Sequence, residues 1–232
     1  VMVTTDKCYE NREQIWGYRE NEPMGGYDPY SSSKGAAEIA IASWRRSFFN
    51  PVDYGMKHHV ALASVRAGNV IGGGDWALDR IIPDCIKALE AGKGIDIRSP
   101  KAIRPWQHVL EPLSGYMLLA TKMWEEPTKY CEGWNFGPRA ESITPVWDVA
   151  TDVIKNYGSG KLNDISNSNV LHEAKLLMLD ISKAKFQLGW EPRMNIHQCI
   201  ELTVDWYKKY QNVDSVYMLC LNEIFKFTSY KK

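Results

Sequence analysis

The 232-residue chain carries 28 basic and 28 acidic residues, a formal net charge of +0, and is 44% hydrophobic. That length suits one good-sized domain or two small ones, with enough apolar content for a sizeable core. The even charge excludes the basic excess of nucleic-acid and membrane-surface proteins, and no apolar run approaches the roughly 18 residues of a membrane span.

In chain order, residues 1–5 read as a short buried strand ending in polar residues. Because Val1 opens directly into that run, no signal peptide is expected. Residues 10–28 are rich in Glu, Gly, Asn and Pro and read as a loop. Pro29 suits the first turn of a helix. Ala36, Ala37, Ile39, Ala40, Ala42 and Trp44 then recur at helical spacing to about residue 49. A second buried strand is expected over 60–65, leading to Gly72-Gly73-Gly74. Helices are expected over 81–91 (closed by Gly92), 109–125, 145–157 and 196–210, and strands over 94–99 and 134–137. Lys183-Ala184-Lys185 suggests one helical turn, and 213–232 a docked terminal helix with a basic end. Trp44, Trp124, Trp147, Trp190 and Trp206 are expected to pack in the core. Strands alternating with helices mean an α/β fold with a mainly parallel sheet.

The cysteines (Cys8, Cys85, Cys131, Cys199 and Cys220) are odd in number and scattered, without metal spacing, so reduced thiols and no metal site are expected. His58-His59 is adjacent rather than spaced for one helix face and receives no metal role.

The chemistry is concentrated near the start. Thr5-Asp6-Lys7 ends the first strand, where open α/β sheets place ligand chemistry. Tyr30 and Lys34 lie one helical turn apart on one face. A cation beside a phenol favours its ionised form, which makes the pair a candidate base. The spacing alone also occurs by chance on solvated helix faces; Thr5-Asp6-Lys7 strengthens the catalytic reading. Neither G-x-G-x-x-G nor G-x-x-G-x-x-G is present, and Gly72-Gly73-Gly74 lacks that spacing.

Val3-Thr-Thr-Asp-Lys-Cys-Tyr-Glu-Asn11 and Gly26-Tyr-Asp-Pro-Tyr-Ser-Ser-Ser-Lys34 resemble the extended short-chain dehydrogenase/reductase superfamily, and within it the CDP-glucose 4,6-dehydratases. Arg66-Ala-Gly-Asn-Val-Ile-Gly-Gly-Gly-Asp-Trp76, Arg104-Pro-Trp-Gln-His-Val109, Trp134-Asn-Phe-Gly-Pro138 and Leu171-His-Glu-Ala174 fit the same group. The resemblance runs to about residue 227 and covers the C-terminal two-thirds of a family member; the family's nucleotide-binding start has no counterpart. It therefore implies the C-terminal part of a Rossmann-type doubly wound parallel sheet plus a smaller α/β sugar-nucleotide domain. Residues 1–66 would belong to the first and 67–232 mainly to the second, with segments returning to the Rossmann core. A sheet lacking its first strands would present an open edge.

The implied activity is a redox-neutral dehydration of CDP-glucose to a 4-keto-6-deoxy sugar at bound NAD, in cytoplasmic deoxysugar and lipopolysaccharide biosynthesis. The resemblance implies Tyr30 as base at the 4-hydroxyl, Thr5 orienting it, and Lys34 holding the phenolate and the nicotinamide ribose. Asp6 would protonate the departing 6-hydroxyl and Lys7 would take the C5 proton, where the dTDP-glucose enzymes carry glutamate. The other reading of Lys7 is an ammonium that positions the sugar. Thr4, Tyr30, Lys34 and Arg66 would meet the cofactor. Asn69, Gly74, Asp75, Arg80, Arg104, Trp106, His108, His172 and Glu173 would meet the sugar nucleotide, the arginines through phosphate, and Trp106 and His108 beside the base. A homodimer or larger homo-oligomer through the Ala36, Ala37 and Ala40 face is also implied. The competing readings are a related NDP-sugar dehydratase or epimerase, and an inactive fragment or sugar-nucleotide-binding remnant.

Overall fold

The computed structural model describes residues 1–139, 142–166 and 176–230. Its strands in chain order are β1 (Met2–Val3), β2 (Ser64–Ala67), β3 (Asn69–Ile71), β4 (Ile95–Ile97), β5 (Ile103–His108), β6 (Gly133–Phe136), β7 (Ile143–Pro145) and β8 (Leu162–Asp164). Its α-helices are α1 (Pro29–Ser47), α2 (Ile81–Glu90), α3 (Leu110–Glu125), α4 (Val146–Tyr157), α5 (Ile196–Tyr210) and α6 (Val216–Ser229). The chain forms two units, each assembled from three segments. The first comprises Val1–Gly68, Glu111–Gly137 and Leu176–Glu191; the second comprises Asn69–Leu110, Pro138–Lys175 and Pro192–Lys232.

In the first unit β1, β2 and β6 form a parallel sheet in that order. β2 is central and buried along its whole length, so it reads as a continuous run rather than an alternation. Its register, Ser64–Ala67 rather than 60–65, is fixed by pairing on both sides. The expectation of a buried first strand fails: β1 is an edge strand and both its residues are exposed. Ala63, Val65, Trp134, Phe136, Leu119 and Trp190 form a core between this sheet and α3. Fully burying an aromatic such as Trp134 contributes roughly 1.5–3 kcal/mol. A π-helical turn, Ala184–Leu188, replaces the single turn expected there and closes on Gly189 at φ 70°.

Residues 10–28 form a loop, as their composition suggests, but a pinned one. Tyr18 bridges to Leu179 in parallel fashion, and Tyr9 to Met24 in antiparallel fashion. Tyr9 and Tyr18 stack at 5.2 Å inside a small core with Cys8, Leu177 and Leu179.

The second unit holds a mixed sheet, β3-β5-β7, with β3 and β5 parallel, and a parallel pair, β4-β8. Its core gathers Ile82, Ile86, Trp106, Val149, Val153, Ile200, Val204 and Trp206 from α2, β5, α4 and α5. Asn195 caps α5 reciprocally with Gln198, and α4 stops at Gly158, φ 109°. The tryptophan expectation divides: Trp190 and Trp206 are core residues, whereas Trp44 and Trp124 are exposed, Trp124 at 88%.

Among the described residues no group of three or more His, Cys, Asp or Glu could hold a metal ion, and no helix is long and apolar enough to cross a membrane. All five cysteines are free, with only Cys220 exposed.

Candidate active site

The carboxyl end of β1 turns directly into a short 3-10 turn, Asp6–Cys8, capped by the Thr5 side chain, which accepts from the Lys7 amide at 3.4 Å. The Thr5 hydroxyl also donates to Asp6 Oδ1 at 2.9 Å. Asp6 is 3% exposed and Cys8 fully buried, while Lys7 between them faces out. Burial pushes the Cys8 thiol up to about 12, so it is an inert thiol.

α1 begins where Asp28 accepts from the Ser31 amide at 3.0 Å and its hydroxyl at 2.6 Å, with Pro29 at the first position. The Ser31 contacts hold the Asp28 carboxyl below its usual range, with a smaller contribution from the Lys7 charge. Tyr30 sits on this first turn, 53% exposed. Lys34 Nζ lies 5.6 Å from the Tyr30 ring centre and Lys7 Nζ lies 5.9 Å from it. Thus a phenol meets two lysine side chains on a helix that packs against the turn carrying Thr5 and the buried Asp6. All five expected catalytic residues lie in the first unit, with Lys7 and Lys34 near the Tyr30 ring and Thr5 bonded to Asp6.

Glycines let α1 come this close. A Cβ on Gly35 would lie 2.5 Å from the Gly25 carbonyl oxygen and 3.2 Å from that of Cys8. A Cβ on Gly26 would lie 2.1 Å from the Ser32 amide nitrogen. The helix therefore packs backbone to backbone on the turn that bears Asp6 and Lys7.

Two expected cofactor residues have other work. The Thr4 hydroxyl donates to Glu38 Oε1 at 2.5 Å. Arg66 is buried and pairs with Glu38 at 2.8 Å, and it also donates to the Tyr9 hydroxyl at 2.5 Å and the Glu20 carbonyl at 3.1 Å. The guanidinium of Arg66, a residue expected to meet the cofactor, is thus engaged by Glu38, Tyr9 and Glu20 within the unit. Burial alone would raise the Glu38 carboxyl, but Arg66, Thr4 and Ser64 together hold it below its usual range. Burial likewise works against the Arg66 charge, and Glu38 overrides it.

Glu38 and Tyr9 were not singled out by the sequence. The available signal was an acid on a helix face otherwise made of small residues, one turn beyond Lys34.

The expected substrate residues Asn69, Gly74, Asp75, Arg80, Arg104, Trp106 and His108 all fall in the second unit. His172 and Glu173 lie outside the described residues. The glycine run is explained first by packing. A Cβ on Gly73 would lie 2.1 Å from Trp206 Cγ, and one on Gly72 would lie 2.8 Å from Val109 Cγ1. Gly74 needs its glycine for φ 81°. Tyr207 donates to the Asp75 carbonyl at 2.5 Å, and Trp76 packs edge-on against Tyr207. Arg80 is exposed and pairs loosely with Asp75 at 3.7 Å. Arg104 is half-buried and donates to the Ile103 carbonyl at 2.9 Å. Asn69 pairs in register with Trp106.

Trp106 and His108, the residues expected beside the base, are both buried. Burial brings the His108 imidazole down to about 4, so it is neutral at physiological pH.

The model of the GDP-mannose 4,6 dehydratase family matches residues 1–203. The chain belongs to that family. It is 50% identical over 229 residues to a CDP-glucose 4,6-dehydratase of Salmonella typhimurium, covering 99% of this chain and 64% of that protein. It is 25% identical to a dTDP-glucose 4,6-dehydratase of Xanthomonas campestris pv. campestris, over 89% of this chain and 57% of the relative. The chain thus spans less than two-thirds of the length of these relatives. Among solved structures, a Bacillus anthracis dTDP-glucose 4,6-dehydratase in complex with NAD superposes with a TM-score of 0.74 at 21% identity, covering 94% of this chain and 63% of that one. The fold is therefore that of the Rossmann-type dehydratases and epimerases, as the resemblance implies, and α/β with parallel strands, as the strand–helix rhythm implies.

Proposed function

We propose that the protein catalyses NAD-dependent 4,6-dehydration of a nucleoside-diphosphate glucose, with CDP-glucose as the substrate. The observation that carries this reading is the Tyr30 ring flanked by Lys7 and Lys34 beside the Thr5–Asp6 pair. The 50% identity to the Salmonella enzyme supports the choice of nucleotide.

The half-buried Lys34 beside an open Tyr30 face suits the nicotinamide ribose end of NAD, which Lys34 and Tyr30 would hold. When bound, NAD supplies an acceptor and later a donor of hydride. Tyr30 takes the proton of the sugar 4-hydroxyl, and Lys34 stabilises the phenolate that does so. Thr5 orients that hydroxyl by hydrogen bonding. Once C4 is a ketone, the C5 proton is acidic, and Lys7 in its neutral form removes it. Asp6 gives a proton to the departing 6-hydroxyl. A simple 4-epimerase needs neither a C5 base nor a C6 acid, so Asp6-Lys7 favours dehydration over epimerisation.

Soluble nucleotide sugars make the cytoplasm the site of action, with the product feeding deoxysugar and lipopolysaccharide synthesis. The outward α1 face of Ala36, Ile39 and Ala40 suits close helix packing in a homodimer. The deciding experiment gives the complete gene product CDP-glucose and, separately, dTDP-glucose, with NMR of the 4-keto-6-deoxy product. Turnover of CDP-glucose in preference is expected; no keto sugar from either substrate overturns the reading.

A further inference from the structure

Glu38 lies one turn beyond Lys34 and two beyond Tyr30 on α1, and is 3% exposed. Its carboxylate accepts from Thr4 Oγ1 at 2.5 Å, Ser64 Oγ at 2.8 Å and Arg66 Nη2 at 2.8 Å. One acid therefore joins α1 to the residue before Thr5 and to the central strand β2. The partner guanidinium extends the link, because Arg66 Nη1 donates to the Tyr9 hydroxyl, which donates onward to Asn135 Oδ1 at 2.8 Å. Tyr9 is the residue that ends the Asp6–Cys8 turn. Thr4 before the turn and Tyr9 after it thus hang from the same buried pair.

A buried ion pair is weak support for stability by itself, since desolvating two charges offsets most of their attraction. Holding a register is a better-attested use. Here the parts held in register are two short pieces of chain: the turn carrying Thr5, Asp6 and Lys7, and the helix carrying Tyr30 and Lys34.

We propose that Glu38 and Arg66 are positioning residues that set the spacing of Tyr30 and Lys34 from Thr5, Asp6 and Lys7, acting through Thr4 and Tyr9. This rests on the dehydratase reading for its catalytic consequence, though the bracket itself does not.

The test uses Thr4→Val and Tyr9→Phe, which each remove hydrogen bonds to the bracket while leaving both charges paired. In the NAD-loaded gene product, kcat should fall about 10-fold, with the sugar-nucleotide KM within about two-fold, because small misplacements of reacting groups cost rate rather than binding. Thr4→Ser should restore kcat. Amide exchange over residues 5–8 should accelerate about 10-fold while β6 is unchanged, reporting local release rather than global unfolding. Unchanged kcat overturns the proposal, whether or not exchange moves, and so does a KM rise that accounts for the whole loss. If the unmodified protein makes no keto sugar yet exchange accelerates locally in both variants, the dehydratase reading falls and the bracket stands.

Discussion

The place where a Cβ would sit on Gly35 is 2.5 Å from the carbonyl oxygen of Gly25. That oxygen belongs to backbone that is itself tied to the turn, since the Gly25 amide donates to Cys8 at 2.9 Å. No side-chain rotation can make room. Gly35→Ala should therefore push α1 off the turn, costing about 1–3 kcal/mol and lowering turnover beyond the loss of folded protein. Thermal unfolding and kcat, measured on the same preparation, check this. A variant with unaltered melting and rate would show that the helix can shift freely.

The Glu38–Arg66 pair predicts an acid sensitivity. The folded-state carboxyl lies below its ordinary value of 4.5, so its stabilisation is present above that value and is lost as pH falls through the folded-state value. Glu38→Gln should flatten the fall in unfolding free energy below pH 4.5 and, by leaving Arg66 buried without its partner, cost about 3–5 kcal/mol at neutral pH. Urea unfolding across pH tests both parts.

His108 works in a neighbouring window. Its imidazole is lowered from 6.5 to about 4, so the unfolded chain binds a proton that the folded chain refuses. Stability should fall as pH drops from 6.5 and level off below about 4, a loss on the order of 3 kcal/mol. His108→Gln should remove most of that slope in the same urea series. An unchanged slope would mean that another group carries it.

Gly73 and Trp206 form a size-matched pair in the second unit. Gly73→Ala drives a methyl into the indole and should cost about 1–3 kcal/mol. Trp206→Leu, added to it, should give a coupling of opposite sign to the two separate losses. Strict additivity in a double-mutant cycle would rule out the contact as the reason for this glycine.

Lys7 gives the sharpest chemical test. In Lys7→Ala, solvent deuterium should no longer enter C5 of the sugar. Normal exchange at C5 would leave Lys7 as a cation that positions the substrate.

The start of α1 was legible because Pro29 fixes a φ that suits a helix's first turn, a purely local signal; the Asp28 cap emerged only with the fold. The candidate cluster was legible because Thr5-Asp6-Lys7 is contiguous and Tyr30 and Lys34 lie one helical turn apart, both local signals. β3 and β5 were not, because Asn69, Arg104, Gln107 and His108 break any apolar run; neighbours far along the chain decide their pairing. Glu38 was hidden for the same reason, as only the fold gathers Thr4, Ser64 and Arg66 around it. Trp44 and Trp124 were misjudged because a large apolar side chain at helical spacing does not say which face is covered.

The chain leaves and re-enters each unit, and the last segment of the first unit, Leu176–Glu191, arrives late. That segment supplies Trp190 to the core and the Leu179 bridge that secures Tyr18. The turn that carries Thr5, Asp6 and Lys7 is therefore separated by most of two other segments from the stretch that supports it. Folding of the first unit must wait until residues 176–191 have left the ribosome, and a nascent chain stalled before residue 176 would display Thr5, Asp6 and Tyr30 without Trp190 in the core and without the Leu179 bridge to Tyr18.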